Sequence, residues 1–137
     1  MNIELLYRAG TITAREGDTL LEAGRRMARN NISALPVLRQ GAVSGILTER
    51  DLARALLDRA DPGTAQVRSY MTPSPATVEW NADSHAVARR MMSLGVRHLP
   101  VMRAGELVGV ISARDLLLLE AWSPLTPADS VPEWVLP

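Results

Sequence analysis

Two hydroxyl–carboxylate pairs carry the side chains best suited to chemistry: Thr48 with Asp51, and Ser112 with Asp115. Each pair follows a glycine and two aliphatic residues, Gly45-Ile46-Leu47 in one case and Gly109-Val110-Ile111 in the other. The pattern reads as a strand ending in Thr or Ser, then a helix with Asp in its first turn. One role for such a pair is a capping box, in which hydroxyl and carboxylate satisfy the free N–H groups of the turn. The acid also suits the positive end of the helix. Capping boxes favour the longer Glu or Gln, yet the acid here is Asp both times. The second role is ligand binding. A helix N-terminus attracts anions such as phosphate, a carboxylate accepts from a sugar diol, and a hydroxyl donates to phosphate or sugar. Pro36, Ile46, Pro100 and Val110 offer aliphatic surface on which a purine could lie. The two roles are compatible, because each oxygen has more than one acceptor site.

The pairs belong to a longer repeat. Arg25–Leu52 aligns with Arg89–Leu116 without a gap, at a constant offset of 64 residues. Twelve of the 28 positions are identical, where chance would give about two, so the duplication governs every other reading. A copy of about 60 residues buries little apolar surface alone, so the two copies are expected to pack on each other.

Composition narrows the function. The formal net charge is zero, which leaves no electrostatic drive toward nucleic acid or anionic lipid. All 15 basic residues are arginine, a bias that runs through the whole chain and fits genome composition better than one phosphate site. The absence of cysteine excludes disulfides and thiolate chemistry. His85 and His98 form no metal cluster, and no Walker loop or nucleophile elbow is present. An enzyme is therefore not expected. No targeting signal and no apolar run of membrane-spanning length is visible, so a soluble cytoplasmic protein is the default.

The elements that must position the pairs follow in order. Gly10–Ala14 reads as a short extended segment. Asp18 or Thr19 caps a helix to about Asn30, with Leu20, Leu21, Gly24, Met27 and Ala28 on one face. Ala34–Arg39 and Val43–Leu47 form a hairpin about Gln40-Gly41. Pro36 lacks a ladder donor and predicts an edge or strand-start position. A helix from Glu49 to Arg59 turns Leu52, Ala55 and Leu56 inward. The second copy repeats this order: Ala76–Glu79 extended, a helix from Asp83 to Leu94 ended by Gly95, strands at His98–Arg103 and Leu107–Ile111, and a helix over Ala113–Ala121. The fold class is α/β (α+β), each copy strand-helix-strand-strand-helix, with repeat 1 over 1–62 and repeat 2 over 63–121. A tail over 122–137 holds four prolines and two tryptophans, and Trp122 and Trp134 predict that it packs against something.

This repeat resembles a CBS domain, and the tandem pair resembles a Bateman module. The resemblance rests on Leu-Pro-Val, then Gly, then Gly-x-x-Thr/Ser-x-x-Asp-Leu, met twice in one register over roughly Ile3–Ala121. It implies pseudo-two-fold symmetry, a homodimer, and two clefts for adenosyl ligands: AMP, ADP, ATP or S-adenosylmethionine, held reversibly with no covalent cofactor. It implies that Asp51 and Asp115 hold ribose hydroxyls, and that Thr48 and Ser112 contact phosphate or ribose. Basic residues just before Leu-Pro serve phosphates in the family; here Arg97 and His98 stand there in the second copy, against Ser33 and Ala34 in the first. The resemblance thus predicts a regulatory, energy-sensing module with an effector protein as partner, and a tighter Asp115 cleft. The alternative is a ligand-free scaffold for protein interaction or dimerisation.

Overall fold

The structure is a computed structural model that describes residues 1–10 and 12–122. The elements are β1 (Arg8–Ala9), β2 (Ala14–Arg15), α1 (Leu20–Asn30), β3 (Ala34–Arg39), β4 (Ala42–Thr48), α2 (Glu49–Leu57), a single 3-10 turn (Val67–Ser69), β5 (Thr72–Pro73), β6 (Val78–Glu79), α3 (Ser84–Leu94), β7 (His98–Arg103), β8 (Glu106–Ser112) and α4 (Ala113–Trp122). Every element of the first copy has a partner starting 64 residues later. The sequence duplication is thus a structural one. Trp122 ends α4, and the tail from 123 on, with Trp134, lies outside the described residues.

Local signals explain the helices. Thr19 and Glu22 form a reciprocal capping box at the start of α1, with Glu22 N donating to Thr19 Oγ1 at 3.1 Å. Asp83 caps α3 by accepting from Ala86 N at 3.1 Å. Asn31 and Gly95, in equivalent places, end α1 and α3 in the left-handed conformation. Both hairpins turn through two residues of positive φ, Gln40-Gly41 and Ala104-Gly105, the twist that matches right-handed strands.

Each copy buries one sheet face under its helices. Leu20, Ala23 and Met27 of α1 pack with Leu35, Val37, Leu47 and Ala55; Val87 and Met91 of α3 pack with Leu99, Val101 and Ile111. The buried stripe of α1 excludes Leu21 and Ala28, which the sequence had placed on it. On α2 the stripe passes through Asp51 and Ala55, one turn apart, so Leu56 falls beside it and stands 78% exposed.

The sheets exchange edges. One runs β2-β3-β4-β5 and the other β1-β8-β7-β6. Thus β5, which follows the first copy's helices, pairs with β4, while β1 at the N-terminus pairs with β8 of the second copy. Ile3 is buried in the second copy's core. Strand β3 is internal, so Pro36 does not sit at an edge, though it stands near the strand's start; β2 pairs only with Val37 and Leu38 and so asks no ladder donor of Pro36. Pro100 and β6 repeat this arrangement.

Gly45 shows how tightly β5 closes on β4. A Cβ there would collide with the Met71 side chain and lie 3.1 Å from the Thr72 carbonyl oxygen. Gly45→Ala should therefore destabilise the fold by roughly 1–3 kcal/mol, the usual cost of overpacking. Gly24, inside α1, faces only Leu52 Cδ1 at 3.7 Å from the position of an added Cβ. Gly24→Ala should stabilise by up to about 1 kcal/mol through helix propensity. Urea denaturation of both variants checks the pair, and shifts of one sign in both would contradict this packing.

Candidate functional site

Strands β4 and β8 deliver the two pairs to equivalent corners. Thr48 is the last residue of β4 and the N-cap of α2; Ser112 ends β8 where α4 begins. Asp51 Oδ2 accepts from Thr48 N at 2.8 Å, and Asp115 Oδ2 accepts from Ser112 N at 2.8 Å. Asp115 N donates to Ser112 Oγ at 3.1 Å, and Asp51 Oδ2 lies 3.2 Å from Thr48 Oγ1. Both aspartates therefore cap their helices, each with Oδ2.

The other oxygen differs between the corners. Asp51 Oδ1 accepts from Arg54 Nη2 at 3.1 Å, and Asp51 is 5% exposed. Arg54 also donates to the Tyr70 carbonyl at 2.8 Å, joining α2 to the segment that leads into β5. Asp115 is half-buried, and among the described residues its Oδ1 receives no hydrogen bond. Sequence reading missed Arg54; the signal was its position three residues after Asp51 on a helix, within salt-bridge reach.

The residues that open β3 and β7 lie beside these corners. Glu49 N donates to Ser33 O at 3.0 Å, and Ala113 N to Arg97 O at 2.8 Å. Ser33 Oγ and His98 Nε2 are 2.7 Å apart, a hydrogen bond that joins the two copies. His98 pairs with Ser112 in the ladder and lies within the fields of Asp115 and of Glu49 from the other copy. One junction therefore gathers Ser33, Glu49, His98, Ser112 and Asp115, while Arg97 itself is exposed. The sequence had named Ser33 only for lacking charge; its hydroxyl is what holds the His98 ring.

The aliphatic candidates lie on the sheet faces turned away from the helices. Pro36 pairs with Ile46 and Pro100 with Val110, on strands alternating with the helix-facing Leu35, Val37, Leu99 and Val101. On that side β4 and β8 approach each other. Pro36 and Pro100 are fully buried and Ile46 is 6% exposed, while Val110 is half-buried. Among the described residues, only Val110 of these four leaves a substantial part of its surface accessible to a purine in the packed chain. Two cavities lie elsewhere. One of about 330 Å³ runs between the hairpin tips, past Gly41, Val43, Pro75, Thr77 and Leu107; one of about 320 Å³ flanks α3. None of the candidate residues lines either cavity. Among the described residues there is no cluster of metal-ligating side chains, and no helix is long and apolar enough to cross a membrane.

Twin strand-to-helix corners facing each other across two packed sheets define a duplicated α+β pair. The chain belongs to the CBS domain family: the CBS domain model matches residues 7–58 and 67–121. The CBS domain-containing protein YhcV of Bacillus subtilis is 29% identical over 104 residues, covering 76% of this chain and 74% of that protein. A solved structure with CBS domains from Burkholderia ambifaria is 27% identical, with a TM-score of 0.85 over 93% of this chain and 99% of the other. The CBS domain pair of protein MJ0100, solved in complex with 5′-methylthioadenosine and S-adenosyl-L-methionine, shares the fold at a TM-score of 0.81 and 24% identity, over 88% of this chain and 96% of that one.

His98 gives the junction a dependence on pH. Burial, reinforced by Arg97, holds its pKa below the ordinary histidine value, against opposing pulls from Asp115 and Glu49. The unfolded chain then binds a proton more readily than the folded one. The stability this confers is complete above the usual value of about 6.5 and is lost as pH falls through the lowered folded value. Melting temperature should fall between pH 7.5 and 5, and His98→Gln should flatten that slope. Asp18 and Asp83 both titrate below the ordinary carboxylate value and so below this window. An unchanged slope in His98→Gln would remove His98 from this role.

Proposed function

We propose that this CBS pair is a regulatory module that binds an adenosyl ligand, AMP, ADP, ATP or S-adenosylmethionine, with the Asp115 corner as the tighter site. The observation that carries this reading is Asp115 Oδ1, a carboxylate oxygen to which none of the described residues donates, beside an imidazole, a hydroxyl and a helix N-terminus. A ribose diol supplies the missing donors. The helix N-terminus, His98 and the nearby Arg97 favour the negative charge of a phosphate. The ligands of the MJ0100 pair are of the same adenosyl class, in a protein of the same fold.

Binding in this reading changes the packing of the two sheets. The buried Pro100 must give way before a purine can reach it. A ligand drives such a change only through unequal affinity for the packed and opened forms. An effector protein reads the difference; the chain itself performs no catalysis. Exposed leucines on α2 and α4 support a homodimer as the unit that responds: Leu56 and Leu57 are 78% and 82% exposed, and Leu117 and Leu118 are 54% and 53%. Sedimentation at micromolar concentration would return a monomer if that part were wrong.

Asp51 favours a second reading for the first corner, in which the pair is a ligand-free scaffold. Its carboxylate is buried and bonded through both oxygens. Titration calorimetry with AMP separates the readings. Asp115→Ala should lose about tenfold to a hundredfold in affinity, the equivalent of roughly 1.5–3 kcal/mol for a charged hydrogen-bond pair. Asp51→Ala should lose less. Equal losses would overturn the ranking. No thermal shift with any of the four ligands would leave the scaffold.

A further inference from the structure

The 64-residue offset equates Arg54 with Leu118, each one helical turn past its corner aspartate. The capping bonds through Oδ2 are equal in length at the two corners. The Oδ1 atoms are not treated alike. Arg54 spans from Asp51 Oδ1 to the Tyr70 carbonyl, whereas Leu118 has no donor to offer and stands 53% exposed. A guanidinium N–H and a sugar O–H use the same lone pairs on a carboxylate oxygen. They compete, and the guanidinium carries a full charge that makes its bond the stronger.

Building on the ligand reading above, we propose that Arg54 is a built-in occupant of the first corner. It takes the place on Asp51 that a vicinal diol would take, so the pair offers one open diol site per chain, and residue 54 decides which corner is open. Arg97 and His98 then tune affinity for phosphate but do not choose the corner. The device is local. Asp51 keeps its bonds to Thr48 when Arg54 is removed, and Arg54 is itself a largely exposed side chain. Both features make the substitution tolerable to the fold.

Titration calorimetry with adenosine tests this, because adenosine carries the diol and no phosphate. The wild-type chain should bind one adenosine, and Arg54→Leu should bind two. Leu118→Arg, which installs the same guanidinium at the second corner, should lose about tenfold or more in affinity. Arg54→Ala, which offers no donor and suits a helix, is the second variant should Arg54→Leu fold poorly, and it should also bind two. One site in both Arg54 variants, or wild-type affinity in Leu118→Arg, would overturn the proposal. Two sites in the wild type would overturn it while leaving the ligand reading intact. No binding by any of these proteins would mean that the ligand reading had failed, and this proposal with it.

Discussion

The bond from each corner's backbone N–H to its aspartate Oδ2 is the constraint on which the rest depends. It stops the strand, starts the helix and fixes the carboxylate against the first turn. Once Oδ2 is committed, only Oδ1 remains for anything else. A side chain as short as Asp makes this division strict, since it cannot swing away from the turn that it caps. The duplicated chain then treats its two Oδ1 atoms differently: Arg54 donates to one, and among the described residues nothing donates to the other.

The copies are interleaved, and Ser33 and His98 join them beside the corners. Strand β5 belongs by sequence to the link between copies and by hydrogen bonding to the first sheet; β1 makes the matching loan to the second. Separating the copies would therefore strip each sheet of an edge. It would also break the Ser33–His98 bond, which spans from one copy to the other. The Gly45 contact with Met71 and Thr72 belongs to the same interlock, so its lack of a side chain has a packing cause independent of any ligand. The motif glycine and the motif aspartate are thus read for different physical reasons.

Much of this was legible in the residues. The constant offset, the hairpin glycines, the cap at Asp18 or Thr19 and the Gly95 terminus each placed an element, because each is a local rule. What failed was set by tertiary context. Strands of two residues carry no periodicity, so the exchange of β1 and β5 left no trace in the pattern. Pro36 read as an edge or strand-start residue because a missing donor is visible in sequence, whereas the short reach of β2 is not. The face on which Pro36, Ile46 and Pro100 lie can be inferred from alternation, but what covers that face cannot. Arg54 belongs to no sequence motif singled out above, and the structure is what connects it with Asp51 and Tyr70 together.

The central claim is that the open oxygen of Asp115, at the junction of the two copies, is where an adenosyl ligand is held. Backbone amide shifts recorded by NMR during titration with AMP test it most directly. The account predicts that the largest shifts fall on Arg97, His98, Ser112 and Asp115, with Thr48 and Asp51 moving little. Shifts centred on the hairpin-tip cavity near Gly41, Val43 and Thr77, with the Asp115 corner silent at saturation, would contradict it.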